Sequence, residues 1–300
     1  MKFHRQLYFT FEKIFFSLLF FLMLNAKADA QKPFTLLNYN VYEGFQKDSL
    51  QKVKFKDWVK QFNPDVVTFQ ELNGFTYTSL EELGRSYGHP YVVLQKDWGY
   101  PVGMTSKYPI TDIEKRSDDF TFGYIYARIM DYNIFLIHLN PFQYPKRYIQ
   151  INSVLAQAAR IPNKEKIIIL GDLNSLSPVD SSIYDVPDRL KNAAKFEKVR
   201  NGMYDDNYIL NNGRFDYSVI GSLYNAGYYD AFQLKNKEFD HTYSTEKYSF
   251  REGAFGKKIR IDYIWLNKTL SKKCISLNII KDEVTESLSD HYPLIIELKK

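Results

Sequence analysis

Short apolar runs that stop at a carboxylate, an amide or an imidazole recur along this chain, and that pattern restricts its fold more than any other feature. Phe34-Thr35-Leu36-Leu37-Asn38-Tyr39-Asn40-Val41 reads as a buried strand ending in polar residues. Residues 65–72 read as a second, with Gln70 and Glu71 near its end, and residues 167–170 as a wholly apolar third that opens into Gly171-Asp172-Leu173-Asn174-Ser175. Residues 124–130 and 132–139, the latter carrying His138, are expected to form a hairpin turning near Asp131. Residues 259–266 contain Asp262, and Asp290-His291 leads into residues 292–298; both segments read as closing strands. A charge beside an apolar run is costly unless it is paired or binds a metal. These groups are therefore expected along one rim of a sheet.

The intervening segments are consistent with an α/β chain. Residues 48–62 read as a helix in which Leu50, Val53, Trp58, Val59 and Phe62 fall near helical spacing, with Asn63-Pro64 stopping it. Residues 146–160 read as another, stopped by Pro162, and residues 91–94 and 102–106 as short strands. Residues 177–220 show little periodicity and are expected to be loop-rich. No linker, repeat or low-complexity tract divides residues 31–300, so a single domain is expected.

The first thirty residues belong to a different category. Lys2, Arg5 and Lys13 precede an apolar run over residues 14–24, followed by Ala26-Lys27-Ala28-Asp29-Ala30. This is the pattern of a secretory signal peptide cleaved after Ala28 or Ala30; the run is short for a membrane span, with an uncleaved anchor as the alternative. Removing residues 1–30 takes away four basic and two acidic side chains, so the net charge of +5 falls to +3, too little to identify a nucleic-acid binder. The single cysteine, Cys274, excludes an internal disulfide and reads as a small buried hydrophobe. Export to a bacterial periplasm or medium is the expectation.

Asn40, Glu71, His138, Asp172, Asn174, Asp262, Asp290 and His291 are thus the groups with chemical potential. Converging carboxylates repel, and a hard divalent cation such as Mg²⁺ would relieve the repulsion. Attack of water on phosphorus, helped by metal and imidazole, is the chemistry this set suggests. The chain has no Gly-rich phosphate loop, no His-Glu-x-x-His helix and no paired-cysteine zinc site. Plainer readings exist for each residue. Asp172 and Asn174 could be turn or cap residues, Glu71 a strand-end surface residue, Asn40 a turn residue and His138 a core histidine. Arg128 could reach a phosphate or form a structural ion pair. His89 and His241 read as loop residues. The aromatics of Trp98-Gly99-Tyr100-Pro101 and Phe142-Gln143-Tyr144 could rim a site or pack locally.

Asn40 in Leu-Asn-Tyr-Asn-Val, Glu71 in Phe-Gln-Glu-Leu, Gly171-Asp172-Leu173-Asn174, Arg260-Ile261-Asp262-Tyr263-Ile264 and Ser289-Asp290-His291-Tyr292-Pro293 together resemble the endonuclease/exonuclease/phosphatase superfamily. Gly103-Met104-Thr105-Ser106-Lys107-Tyr108-Pro109-Ile110 adds to the resemblance, which runs in order over residues 34–298. It implies a deoxyribonuclease I-like α/β (α+β) fold, a four-layer αββα sandwich of two mixed β-sheets flanked by helices. It also implies a phosphoesterase using Mg²⁺, with Mn²⁺ as a substitute; one metal or two is left open. Glu71 would be the principal ligand, with Asn40 and Asp290 close to the metal. Asp172 would orient or deprotonate water, Asn174 would hold a phosphate oxygen, and His291 would contact the phosphate or act as general acid/base, oriented by Asp262. His138 resembles the extra histidine of the deoxyribonuclease I, sphingomyelinase and inositol-phosphatase branches.

The substrate class stays open between nucleic acid, phospholipid head group and phosphorylated small molecule. A nuclease would use basic residues such as Lys146-Arg147 and Lys257-Lys258-Ile259-Arg260. A lipid phosphodiesterase would use exposed apolar residues such as Ala254-Phe255 and Phe142. A monomer with no obligate protein partner is expected. A non-catalytic scaffold that binds a ligand or partner is the alternative from another class.

Overall fold

Strands buried on both faces need cover on both sides, and this requirement sets the layering. The computed structural model describes residues 32–120, 122–162, 164–201, 209–250 and 255–300. The expected signal peptide, residues 1–30, and Ala254 lie outside the described residues. Residues 34–299 form one compact unit. In β1 (Phe34–Asn40) and β2 (Val66–Gln70) every residue is buried. One row of β1, Phe34 and Leu36, faces a core shared with Ile134, Leu136, Ile168, Leu170 and Ile264 of the other sheet. The opposite row, Leu37 and Tyr39, packs with Val67 and Phe69 against the helices Ser49–Val59 and Tyr77–Ser86. Each such buried side chain contributes roughly 1.5–3 kcal/mol.

With β3 (Tyr91–Leu94) and β4 (Gly103–Ser106), the first sheet has the order β13 (Cys274–Ile279), β14 (Leu294–Leu298), β1, β2, β4, β3. The second contains β5 (Ile110–Lys115), β6 (Gly123–Ile129), β7 (Tyr132–His138) and β8 (Lys166–Asp172), in the order β11 (Tyr229–Asp230), β12 (Asp262–Leu266), β8, β7, β6, β5, while the short strands β9 (Leu210–Asn211) and β10 (Arg214–Phe215) pair with each other. β1 and β2 are parallel, as are β7 and β8, and the other pairs are antiparallel, so both sheets are mixed. The helices Tyr144–Ala158 and Ser218–Asn225 cover the far face of the second sheet through Ile151, Val154, Val219 and Leu223 against Phe135, Ile169 and Trp265. The result is the four-layer αββα sandwich.

Several local expectations need correction. The first helix is capped by Asp48, whose side chain accepts the Leu50 N–H at 2.8 Å, but Leu50 is 69% exposed and Val53 also faces solvent. Phe55, Trp58 and Val59 form its buried stripe instead. Residues 177–220, expected as loops, contain the fifteen-residue helix Pro187–Asn201. It covers only a small satellite cluster, through buried Ala193 and partly buried Leu190 and Phe196, so its sequence carries little apolar period. The strands β5 and β13 lie at sheet edges, where exposed positions interrupt any apolar run.

His89 lies in a loop, as expected, between the helix Tyr77–Ser86 and β3, but its ring packs inward. It is 0% exposed, with Nδ1 2.8 Å from the Thr105 hydroxyl and Nε2 2.9 Å from the Pro64 carbonyl. Burial pushes its pKa from 6.5 down to about 4, against the pull of the Pro64 carbonyl. The unfolded chain therefore binds this proton near pH 6.5 and the folded protein only near 4. Stability from the neutral imidazole is complete above pH 6.5 and is lost as pH falls towards 4, by about 3 kcal/mol in all. Urea unfolding of the protein and of His89→Gln at stepped pH checks this. The variant is expected to be weaker at pH 7 but to lose less stability between pH 6.5 and 4.5; parallel curves would exclude His89 as the source.

Candidate active site

The alternation that builds the inter-sheet core also builds the site. Along β1 the inward row runs Phe34, Leu36, Asn38, Asn40; along β7 it runs Ile134, Leu136, His138, and along β8 Ile168, Leu170, Asp172. On antiparallel β12, Leu266 and Ile264 lead to Asp262. The core thus turns polar at one rim. His138, Asp172 and Asp262 stand in register across β7, β8 and β12. Below them, Asn38 Oδ1 accepts from Thr68 Oγ1 at 2.9 Å and from Gln70 Nε2 at 2.7 Å, forming a polar layer above the hydrocarbon.

Asp172 is the hub. Its Oδ2 accepts from Asn40 Nδ2 at 3.0 Å and lies 3.6 Å from His138 Nε2 and 3.9 Å from His291 Nε2. Its Oδ1 accepts the Asn174 N–H at 2.9 Å. The preceding Gly171 has φ +133°, and a Cβ there would fall 1.8 Å from the Ile137 carbonyl oxygen. Only glycine lets β8 pass this close to β7. Asp262 Oδ2 lies 2.8 Å from His291 Nδ1, while Thr242 Oγ1 accepts the Ile261 and Asp262 N–H groups at 3.2 and 3.1 Å. Ser289 Oγ donates to the Asn40 carbonyl at 2.7 Å and accepts the His291 N–H at 3.1 Å, tying the lead-in of β14 to the end of β1.

Glu71 is held by unusual backbone. It has φ +61° itself, and residues 42–47 run through a left-handed turn with φ between +39° and +68°. From that turn the Glu43 N–H donates to Glu71 Oε2 at 3.0 Å and the Gly44 N–H to the Glu71 carbonyl at 2.7 Å. A Cβ on Gly44 would lie 2.1 Å from the Asn73 carbonyl oxygen, so this contact also requires glycine.

The electrostatics follow from burial. Glu71 is pushed up to about 7 by desolvation and by Asp290, and Asp172 is also raised, by desolvation and then by Asp262. Desolvation holds His138 down at about 3, so it is neutral, and its Nδ1 has no hydrogen-bond partner. Burial also opposes charge on His291, but Asp262 overrides it and raises the imidazole to about 10.

The expected set Asn40, Glu71, His138, Asp172, Asn174, Asp262, Asp290 and His291 is therefore brought to one place. One expectation changes. Arg128 pairs in register with Asn133 near the hairpin turn, whereas His138 pairs with Gly123 at the other end, roughly 16 Å away at the usual strand rise. Arg128 thus does not reach the site. Asn40 Oδ1 accepts the Tyr42 N–H at 3.1 Å, so its amide nitrogen faces the Asp172 and Glu71 carboxylates as a donor. Thr242, Ser289 and Glu43 were not anticipated. Ser289 opens the Ser289-Asp290-His291 motif, but a threonine in a loop and a backbone N–H carry no sequence signal.

Glu71 and Asp290 both line the cavity and offer carboxylates that could hold a cation. Asp172, Asp262 and His291 also offer ligand atoms within 4.8 Å of one another, but Asp262 and the His291 Nδ1 are engaged with each other. Buried carboxylates are the donor set a hard divalent ion suits. These groups floor a cavity of about 420 Å³. One wall carries Tyr100, Phe122, Pro141 and Phe142, the other Phe196, Ile209, Phe255, Ile259 and Ile261. Trp98, by contrast, is exposed, with Lys96 over its ring.

The family model described as Endonuclease/Exonuclease/phosphatase family matches residues 37–291. Among solved structures, an AP endonuclease from Archaeoglobus fulgidus is similar at 18% identity and a TM-score of 0.65, with 89% of this chain and 99% of that chain covered. A 3′ phosphatase from Neisseria, bound to product DNA hairpin, is similar at 16% identity and a TM-score of 0.65, with coverage of 89% and 100%. At these identities the likeness shows the deoxyribonuclease I-like fold. No curated protein sequence matches the chain.

The Asp262–His291 contact makes one clear demand. Removing the carboxylate removes what stabilises the imidazolium, so His291 of metal-free Asp262→Asn should titrate at a pH lower by at least about one than in the parent. Imidazole NMR signals followed against pH measure this, and unchanged titration would rule out Asp262 as the cause.

Proposed function

The chain belongs to the endonuclease/exonuclease/phosphatase family, and from that premise we propose that it is an exported, divalent-metal-dependent phosphoesterase. The observation that carries the reading is the Asp262–His291 pair facing Asp172, with Glu71 and Asp290 on the same cavity floor. Glu71 and Asp290 would hold Mg²⁺, with Mn²⁺ as substitute; the ion would polarise a phosphoryl oxygen and neutralise the carboxylates.

The chain's own groups divide the remaining work. Asp172, buried and with raised proton affinity, orients the attacking water and accepts its proton. His291, held by Asp262, faces a phosphate oxygen as an imidazolium and can return a proton to the leaving oxygen. His138 is neutral, so one ring nitrogen can donate a hydrogen bond and the other can accept one. Asn174 donates one amide hydrogen to the Leu139 carbonyl at 3.2 Å, which leaves the second for a phosphate oxygen. Export rests on the signal-peptide pattern of residues 1–30 alone. Among the described residues no helix is long and apolar enough to cross a membrane.

Hydrolysis of bis(p-nitrophenyl) phosphate and of phosphate monoesters by the purified chain, with and without Mg²⁺ or Mn²⁺, tests the proposal. Turnover should require the metal, and Glu71→Gln and His291→Ala, shown folded by circular dichroism, should each lower kcat at least about 100-fold. Metal-independent turnover, or an active Glu71→Gln, would contradict the assigned roles. No turnover together with no metal binding by calorimetry would favour a non-catalytic scaffold.

A further inference from the structure

We propose that the cavity takes a small phosphate ester whose organic group is apolar and ring-sized, and that it does not follow a nucleic-acid backbone. The inference rests on the phosphoesterase reading and narrows its substrate.

The walls carry the first argument. On one side Tyr100, Phe122 and Phe142 stand together, with ring centroids 5.6 and 5.9 Å apart, and Phe122 lies 5.4 Å from the His138 ring. This aromatic wall runs from the rim to the catalytic imidazole. The facing wall belongs to the satellite core, where Phe196, Ile209, Phe255, Ile259 and Ile261 pack together. The polar side chains that line the cavity are Glu71, His138, Asp172, Asn174, Asp290 and His291, with the two tyrosines Tyr100 and Tyr243. A cavity of about 420 Å³ with apolar walls and a few convergent polar groups has the size and character of a small-molecule site.

The cations carry the second. Each strand of a DNA duplex brings a further phosphate about every 3.4 Å along the helix axis. Phosphates flanking the scissile one would lie against hydrocarbon, where a charge is costly. Among the described residues that line the cavity there is no lysine or arginine. Three of the basic residues nearby in sequence are turned to other tasks. Arg260 is buried and bound to Asp180 and Asp230, and Lys258 pairs with Glu246 at 2.8 Å. Arg147 is 1% exposed beneath the wall, donating to the Asn140 carbonyl at 3.1 Å, with its guanidinium 5.8 Å from the Phe255 ring. One phosphate fits the floor, and an apolar group fits the space above it.

Binding of phosphonates, which are not hydrolysed, separates this inference from the catalytic reading. Calorimetry with the purified chain in Mg²⁺ would compare 2-naphthylmethylphosphonate, ethylphosphonate and a short single-stranded oligonucleotide at low and moderate salt. The naphthylmethyl compound should bind at least about tenfold more tightly than the ethyl compound. Phe196→Ser should narrow that gap to about twofold, and Phe196→Leu should keep most of it. Equal phosphonate affinities would overturn the inference, as would an oligonucleotide that binds more tightly than both and weakens steeply with salt. If the phosphonate preference holds but no ester is hydrolysed, the catalytic reading fails and the binding class stands.

Discussion

Several carboxylates buried at one rim of a two-sheet sandwich repel one another, and much of the local architecture can be understood as containing that repulsion. Asp172 stands at the centre, with the Asn40 amide donating to it and the His291 imidazolium near it. Asp262 is offset by the ring it contacts, and Glu71 by the Glu43 N–H. Loss of one partner leaves another charge buried and uncompensated, which is the costly case. The site and the fold are therefore not separable layers. The inward rows that fill the core with isoleucine and leucine continue by two residues into the site.

That continuity explains why so much was legible in the sequence. A buried strand shows as an apolar run, and where its inward row turns polar the rim of the sheet is near; Asn40, His138, Asp172 and Asp262 all follow this rule. Glu71 and Asn174 lie beyond their strands and were readable only from the company they keep. For Asn40 the sequence supplies an amide but not its orientation, which the Tyr42 N–H fixes. Arg128 was misassigned because its strand is right but its end of the strand is wrong. Little of the segment between β8 and β12 was legible, since a helix that covers a small cluster needs few apolar residues.

The satellite cluster is nevertheless tied to the chemistry. Arg260 Nη2 lies 2.7 Å from Asp180, in the segment that carries the satellite core, while Nη1 reaches Asp230 in β11. Two residues later stands Asp262. The Tyr263 hydroxyl donates towards the carbonyls of Arg260 and Ser175, closing the same corner. A buried ion triad of this kind is weak as a source of stability but directional. It links the segment forming one cavity wall to the strand bearing the histidine's carboxylate, so the wall and the pair it overlooks share one support.

The left-handed turn at residues 42–47 has a consequence for how such a chain can change. Left-handed backbone costs roughly 1–2 kcal/mol per non-glycine residue, and several of these are stacked where glycine would be easier. Selection for stability alone would relax them into a right-handed turn, but that would withdraw the two N–H groups that grip Glu71. The turn is thus a place where robustness and function pull in opposite directions. A lineage freed from the need to hold Glu71 would be expected to lose this contorted backbone early, well before its hydrophobic core showed any sign of drift.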